Sequence, residues 1–400
     1  MSGYSTVMTV IAESPDLAAF CARLAGAEFI TIDTEFLRDQ TYWPKLCLVQ
    51  LAGPDAGPED AAAIDVLAPD IDLAPLTALL HDPKILKVVH SGRQDMEIFY
   101  QMNGRLPAPL FDTQVAAMVC GFGDSVAYDT LARRLVGARI DKTSRYTDWS
   151  RRPLSKKQVD YALADVTHLR DVYRKIKKML EKSGRTHWLD EELSVLTSPD
   201  TYRLEPQEAW RRLKPRSDDR VYLAVLRAVA AWREEEAQRR NVPRNRVLRD
   251  DQIYDIAALR PKEVEDLQRA RRVGKDLARG RLGQEIVGAV KKGLDCAPEA
   301  RPEPQKRDDF PKELGPVAEL LKVLLRIRCS EEDVSQLLVA RGNDIEQIAL
   351  DDDADVPALK GWRREIFGAD ALRLKHGELA LTIREKNICL MPLADRKACA

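Results

Sequence analysis

The sequence predicts an α/β domain over roughly its first 190 residues, followed by an all-helical second half. Short β-branched and apolar runs, at Phe29 to Phe36, Leu46 to Leu51, Ala63 to Val66 and Ile85 to His90, alternate with helical stretches in the first half. From about Ser194 onward such runs nearly vanish. Apolar residues then recur at helical spacing, as at Val221, Leu223, Val225, Leu226, Val229, Ala230 and Trp232. At 400 residues the chain also exceeds the usual size of one hydrophobic core, so two or three domains are expected.

The first strand, FITIDTEF, carries the first chemical signal. Side-chain alternation puts Phe29, Thr31, Asp33 and Glu35 on one face and Ile30, Ile32, Thr34 and Phe36 on the other. Two carboxylates side by side in a run suited to burial repel each other unless a cation joins them. Hard oxygen ligands select Mg²⁺ or Mn²⁺ over the thiolate and imidazole sets of zinc sites. The competing reading is a solvated strand end with two exposed acids.

The strand ILKVVH turns through Ser91, Gly92, Arg93 and Gln94 into a helix whose first turn holds Asp95. An acid there is also favoured by the helix dipole alone. His90 ends the strand, where packing is the commoner role for a histidine. The third element, LSKKQVDYALADVTHLRDVYRKIKKML, opens with Ser155 and Gln158 spaced as a capping box. Val159, Ala162, Leu163, Val166, Leu169 and Ile176 form its buried stripe. Tyr161 and Asp165, four apart, project together beside that stripe.

Charge is distributed unevenly. Residues 1–200 carry −5, residues 201–292 carry +8 from 23 cationic and 15 acidic side chains, and residues 293–400 carry −4. A basic middle suits a polyanionic partner, although many basic helices are merely solvated. Leu294 to Pro311 holds four prolines among charged residues and reads as a linker. The expected units are residues 5–190, 205–293, a linker at 294–312, and 313–395.

The seven cysteines are scattered and lack a C-x-x-C pair, which argues against a zinc ribbon and for reduced, mostly buried thiols. The first sixteen residues show no basic-then-apolar leader, and no apolar run reaches about 18 residues. A cytoplasmic protein without a membrane partner is expected.

Asp33-x-Glu35 on a first strand, Asp95 at a strand-to-helix junction and Tyr161-x-x-x-Asp165 on a late helix occur in one order. Together they resemble the tyrosine-bearing subclass of DEDD 3′→5′ exonucleases. The surrounding text, TYWPKLCLVQLA, KVVHSGRQDMEIF and TDWSRRPLSKKQVDYALADVTHL, is similar to the ribonuclease D family. The resemblance implies a ribonuclease H-like exonuclease fold over residues 5–190. It also implies two divalent cations held by Asp33, Glu35, Asp95 and Asp165, and an attacking water positioned by Tyr161. RNA, such as 3′-extended tRNA precursors and other structured RNAs, is the implied substrate, with 5′-mononucleotides as products.

Trp43, Gln50, His90, Lys142 and Arg152 lie in family-like text and are candidates for holding the RNA end. The segment from Glu208 to about Lys292 resembles an HRDC domain, a small helical nucleic-acid-binding module. Arg244, Arg246 and Arg249 in its NVPRNRVLRDD loop are candidate phosphate contacts. Residues 313–395 resemble a second, more divergent domain of that kind, whose acidic balance suits a clamp better than an RNA grip. A monomer is expected. A DNA-directed DEDD exonuclease and a non-catalytic RNA-binding protein are the alternatives. The former is disfavoured because no G-x-x-x-x-G-K-[ST] nucleotide-binding loop accompanies the acids, the latter because the acid set is complete.

Overall fold

The computed structural model describes residues 10–270, 272–304 and 310–393. The first strand and helix are β1 (Val10–Ile11) and α1 (Ser14–Leu24). They are followed by β2 (Phe29–Leu37), β3 (Lys45–Ala52), β4 (Ala61–Ile64), α2 (Ala74–Leu80), β5 (Leu86–Val89), α3 (Arg93–Asn103) and β6 (Leu110–Asp112). The six strands form one mixed sheet in the order β1-β4-β3-β2-β5-β6. β3 runs antiparallel to both β2 and β4, and β2, β5 and β6 run parallel. The expected strands are all present; β1 and β6, two and three residues long, are additions too short to show a period.

The side-chain alternation of β2 decides what covers each sheet face. Ile30 and Ile32 enter a core with Leu17, Phe20 and Leu24 of α1, Leu76 and Leu80 of α2, and Met96 and Phe99 of α3. The opposite face packs Leu48, Ala52 and Ala63 against Val159, Ala162, Leu163 and Val166 of a long helix. The intervening helices are α4 (Thr113–Val119) and α5 (Tyr128–Val136); the long one, α6, spans Lys156–Ser183, and α7 (Leu189–Thr197) follows. α6 begins in the expected box, with Gln158 N–H donating to Ser155 Oγ and Ser155 N–H to Gln158 Oε1. It ends at Gly184, whose φ of 69° a side chain would disfavour. Thr31 Oγ1 ties strand to helix by donating to the Val166 carbonyl at 2.9 Å.

The first helical domain comprises α8 (Arg220–Arg240), α9 (Arg244–Val247), α10 (Asp250–Leu259), α11 (Val264–Leu267), α12 (Lys275–Arg279) and α13 (Arg281–Leu294). Gly293 of α13 sits so close to α8 that a Cβ there would lie 2.6 Å from the Val225 Cα. The described part of the proline-rich segment is fastened to α8, with Arg220 and Arg227 donating to the carbonyls of Arg301 and Ala300, both at 3.0 Å. Residues 305–309 of the expected linker, 5–9 of the first domain, 394–395 of the last, and Cys399 fall outside the described residues.

The last domain holds α14 (Gly315–Glu331), α15 (Gln336–Val339), α16 (Gly342–Leu350), α17 (Gly361–Arg363) and α18 (Ala369–Lys375). It closes with a hairpin, β7 (Leu379–Arg384) and β8 (Asn387–Pro392), a strand pair added to the expected helices. Its turn places Glu385 and Lys386 at φ 49° and 67°, a left-handed pair usually marked by Asn-Gly, so the ordinary sequence signal is missing.

The two helical domains are joined to the nuclease domain differently. The last one shares its apolar core, which runs from Phe111, Ala116 and Leu131 to Leu321, Leu324 and Phe367. Trp188 and Trp362 stack there at 4.2 Å and 6°, with Arg185 over the first ring and Arg363 over the second. The first one is held by a small separate cluster around Tyr42, Ala237 and Val247, and by polar groups. Asn241 Oδ1 accepts from the Tyr42 and Trp43 backbone N–H groups at 3.1 and 3.0 Å, and Tyr42 donates its hydroxyl to Glu234. Cys21, Cys47 and Cys329 are buried free thiols, and Cys120, Cys296 and Cys389 are half-buried free thiols. Among the described residues no helix is long and apolar enough to cross a membrane.

Candidate active site

β2 delivers Asp33 and Glu35 to one face, and an irregularity in its pairing with β3 falls immediately after Glu35. Glu35 opposes Leu48 and Phe36 opposes Leu46, leaving Cys47 as the extra residue. Such bulges re-aim side chains at the ends of sheets. α6 brings Asp165 to the same place, so that carboxylate oxygens of Asp33, Glu35 and Asp165 lie within 4.8 Å of one another.

Asp95 arrives from the other side of β2. Ser91, at φ 60°, and Gly92 form the tight turn before α3; a Cβ on Gly92 would meet Val89 Cγ2 at 2.5 Å. Both of their N–H groups donate to Asp112, at 3.0 and 2.9 Å, and the same carboxylate accepts from Gln114 N–H at 2.8 Å to cap α4. One buried acid thus fixes the turn that aims Asp95. Asp95 accepts the Thr34 hydroxyl and lines the same groove, of about 550 Å³, as Asp33, Glu35, Tyr161 and Asp165.

Burial is the main force on these groups. It lifts Asp33 well above the usual carboxylate range, and the charges of Asp165, Asp95 and Glu35 lift it further. Glu35 is pushed up to about 9 by burial and by Asp165 and Asp95, against a lowering by Arg145. Burial raises Asp95 and Asp165 to about 7, opposed by the Thr34 and Tyr161 hydroxyls respectively. The same causes raise the Tyr161 phenol far above its ordinary value. A site that favours protons over bare negative charge, built only of hard oxygen donors, fits divalent cations.

The candidate RNA contacts divide. Lys142 lines the groove and pairs with Asp129 at 2.6 Å. His90 also lines it, but both ring nitrogens are engaged, with Thr113 Oγ1 at 3.0 Å and the Val126 carbonyl at 3.1 Å. Of the remaining positions, Gln50, Arg152 and Arg244 are taken up by the fold, which corrects the expectation for those three. Gln50, opposite Asp33, is 0% exposed beneath α6, where no RNA reaches it. Arg152 is committed to Asp65, at 2.5 and 2.6 Å, and to the Cys47 carbonyl. Trp43 packs at the junction with the first helical domain. Arg244 pairs with buried Glu234, and Arg246 donates to Gln40 across the same junction. Arg249 stays exposed.

Among the groove residues that sequence reasoning missed, Tyr128, Arg145 and Tyr146 bear most on the chemistry. Tyr128 from α5 is half-buried beside the acids and donates to the Ala164 carbonyl at 3.3 Å. Arg145 and Tyr146 stand at the mouth; Tyr146 is 88% exposed, with the Arg145 guanidinium 5.3 Å from its ring centre. Only the loop position of an aromatic beside an arginine hinted at the latter two.

Fold and site together define a metal-dependent 3′→5′ exonuclease. Residues 8–181 match the family model described as 3′-5′ exonuclease, and residues 222–290 match the HRDC domain. The chain is 49% identical to ribonuclease D of Granulibacter bethesdensis over 96% of each chain. It is 50% identical to ribonuclease D of Nitrobacter hamburgensis, covering 95% of this chain and 98% of that one. The crystal structure of Escherichia coli RNase D, an exoribonuclease involved in structured RNA processing, superposes with a TM-score of 0.77. That match has 29% identity and covers 92% of this chain and 98% of that one. The chain belongs to the ribonuclease D family, and its activity is that of a metal-dependent 3′→5′ exoribonuclease.

Proposed function

We propose that Asp33, Glu35, Asp95 and Asp165 hold two divalent cations, Mg²⁺ or Mn²⁺, and that the enzyme trims 3′ extensions from tRNA precursors and other structured RNAs. The observation that carries this reading is the meeting of three carboxylates within 4.8 Å in a groove that a fourth also lines. Bound cations of this kind activate water and neutralise charge at the leaving oxygen.

The chain's own groups supply orientation. The Tyr161 phenol, hydrogen-bonded to Asp165 and held protonated by burial, orients the attacking water and does not remove its proton. Arg145 and Lys142 meet the terminal phosphate, and the exposed Tyr146 ring offers a base a stacking surface. The last helical domain acts as a clamp, and the exposed Arg249 of the first contacts RNA phosphates. We place the enzyme in the cytoplasm as a monomer releasing 5′-mononucleotides one at a time.

Purified protein incubated with 3′-extended tRNA or single-stranded DNA, in Mg²⁺, Mn²⁺ or EDTA, tests the reading. Stepwise shortening of the tRNA that EDTA stops is expected, and Asp33→Asn should abolish it while RNA binding persists. Faster loss of DNA than of tRNA, or a fully active Asp33→Asn protein, overturns it.

A further inference from the structure

Outside the acid groove, four arginines converge on a cleft of about 170 Å³ between the nuclease domain and the first helical domain. Arg38 follows β2 and Arg93 opens α3. Arg212 ends the short helical turn Pro206–Arg212, and Arg244 opens α9. Two of them are neutralised. Arg38 makes a two-point pair with Glu97 at 2.9 and 2.8 Å, and Arg244 makes one with Glu234 at 2.6 and 2.5 Å. Arg93 and Arg212 have no ion-pair partner among the described residues.

Like charges brought together from two domains repel, and the cleft retains an excess of two positive charges. An anion with several oxygens relieves that repulsion, and the planar guanidinium fork matches phosphate oxygens two at a time. Each paired arginine is fixed at two points, so Arg93 and Arg212 are the ones left to meet an anion. The cleft is built on the elements that carry the acids: Arg38 lies three residues beyond Glu35, and Arg93 two before Asp95.

We propose that this cleft is a phosphate-binding site, held by Arg93 and Arg212, that takes a phosphodiester of the substrate RNA outside the acid groove. Inorganic phosphate, or the phosphate of a free nucleotide, presents the same chemistry and is the other source. The proposal rests on RNA being the substrate, so its test separates the two ideas.

The full-length Arg93→Gln/Arg212→Gln enzyme is compared with wild type on two substrates. One is a single-stranded RNA of about twenty nucleotides; the other is a p-nitrophenyl ester of a nucleoside 5′-monophosphate, which reaches only the acid groove. Both changes are at exposed positions, and the melting temperature without phosphate checks that the fold survives. For an RNA phosphodiester, KM for the long RNA rises at least tenfold. The slope of log affinity against log salt then falls by about 0.7 for each phosphate that the variant no longer neutralises, while turnover of the small ester is unchanged. For a free phosphate, millimolar inorganic phosphate raises the melting temperature of wild type but not of the variant, and the RNA KM stays put. Either result supports an anion site and names its source. An unchanged RNA KM, salt slope and phosphate response overturns the proposal while leaving the nuclease reading intact. Failure of wild type on both substrates would instead remove that reading.

Discussion

Thr34 donates its hydroxyl to the Asp95 carboxylate, joining the strand that carries two of the acids to the helix that carries the third. Thr34 points to the opposite face of β2 from its neighbours Asp33 and Glu35, so Asp95 approaches around the strand. That hydroxyl favours the charged form of Asp95 against burial. Thr34→Val keeps the shape and removes the donor. Apparent Mg²⁺ affinity should weaken by roughly 10- to 100-fold, as for other outer partners of metal ligands, with turnover recovering at high Mg²⁺. A titration of activity against Mg²⁺ that superposes on wild type would sink this role.

Much of that geometry is legible in the sequence, and the reason is periodicity. The two-residue alternation of FITIDTEF and the stripe of α6 put Asp33, Glu35, Tyr161 and Asp165 on identifiable faces without any tertiary information. Asp112 is not legible, since an acid capping α4 looks ordinary until its two oxygens also meet the N–H groups of the Ser91-Gly92 turn. Arg152 and Arg244 mislead for a related reason. Their partners, Asp65 and Glu234, are 87 and 10 residues away, and only folding reveals that those guanidinium groups are occupied. Gln50 misleads because its register opposite Asp33 buries it under the sheet's covering helix, which the strand's sequence alone does not show.

Metal and pH should be linked in a definite direction. Glu35 titrates near 9, and Asp95 and Asp165 near 7, against ordinary values of 4.5 and 3.8. Acids raised on folding contribute full stability below their ordinary values and lose it as pH climbs through the folded ones. In EDTA the melting temperature should therefore fall between pH 6 and 9. Saturating Mn²⁺ or Mg²⁺ should remove that fall, giving a metal-induced increase that is larger at pH 9 than at pH 6. Thermal melts at both pH values, with and without metal, check this; an equal increase at both contradicts it.

Arg244 offers a test of what its charge does. Glu234 is 2% exposed and receives Arg244 and the Tyr42 hydroxyl, binding α8 to the loop after β2. Arg244→Met strands that carboxylate. The expected loss is about 3 kcal/mol, at the lower end for a broken buried pair because Arg244 keeps some solvent contact. Urea unfolding, read by tryptophan fluorescence, should show it as a lower midpoint. Unchanged stability with weakened RNA binding would return Arg244 to the role of a phosphate contact.

Tyr161 tests the division of labour in the groove. Its ring lies 6.2 Å from that of Trp149, which is buried, and its hydroxyl is bonded to Asp165, so the phenol is held from both ends. Burial and three nearby acids raise it so far that no phenolate forms in the working pH range. An orienting hydroxyl and a titrating base then leave different traces in Tyr161→Phe. Loss of orientation should lower kcat by roughly 10²-fold, the low end for a positioned proton-handling group, with KM within about twofold of wild type. The pH dependence of kcat should keep its rising limb, moved upward in pH because Asp165 loses the hydroxyl that lowers it. A base would take its ionisation with it, so a pH profile that loses its rising limb would assign proton removal to Tyr161 after all.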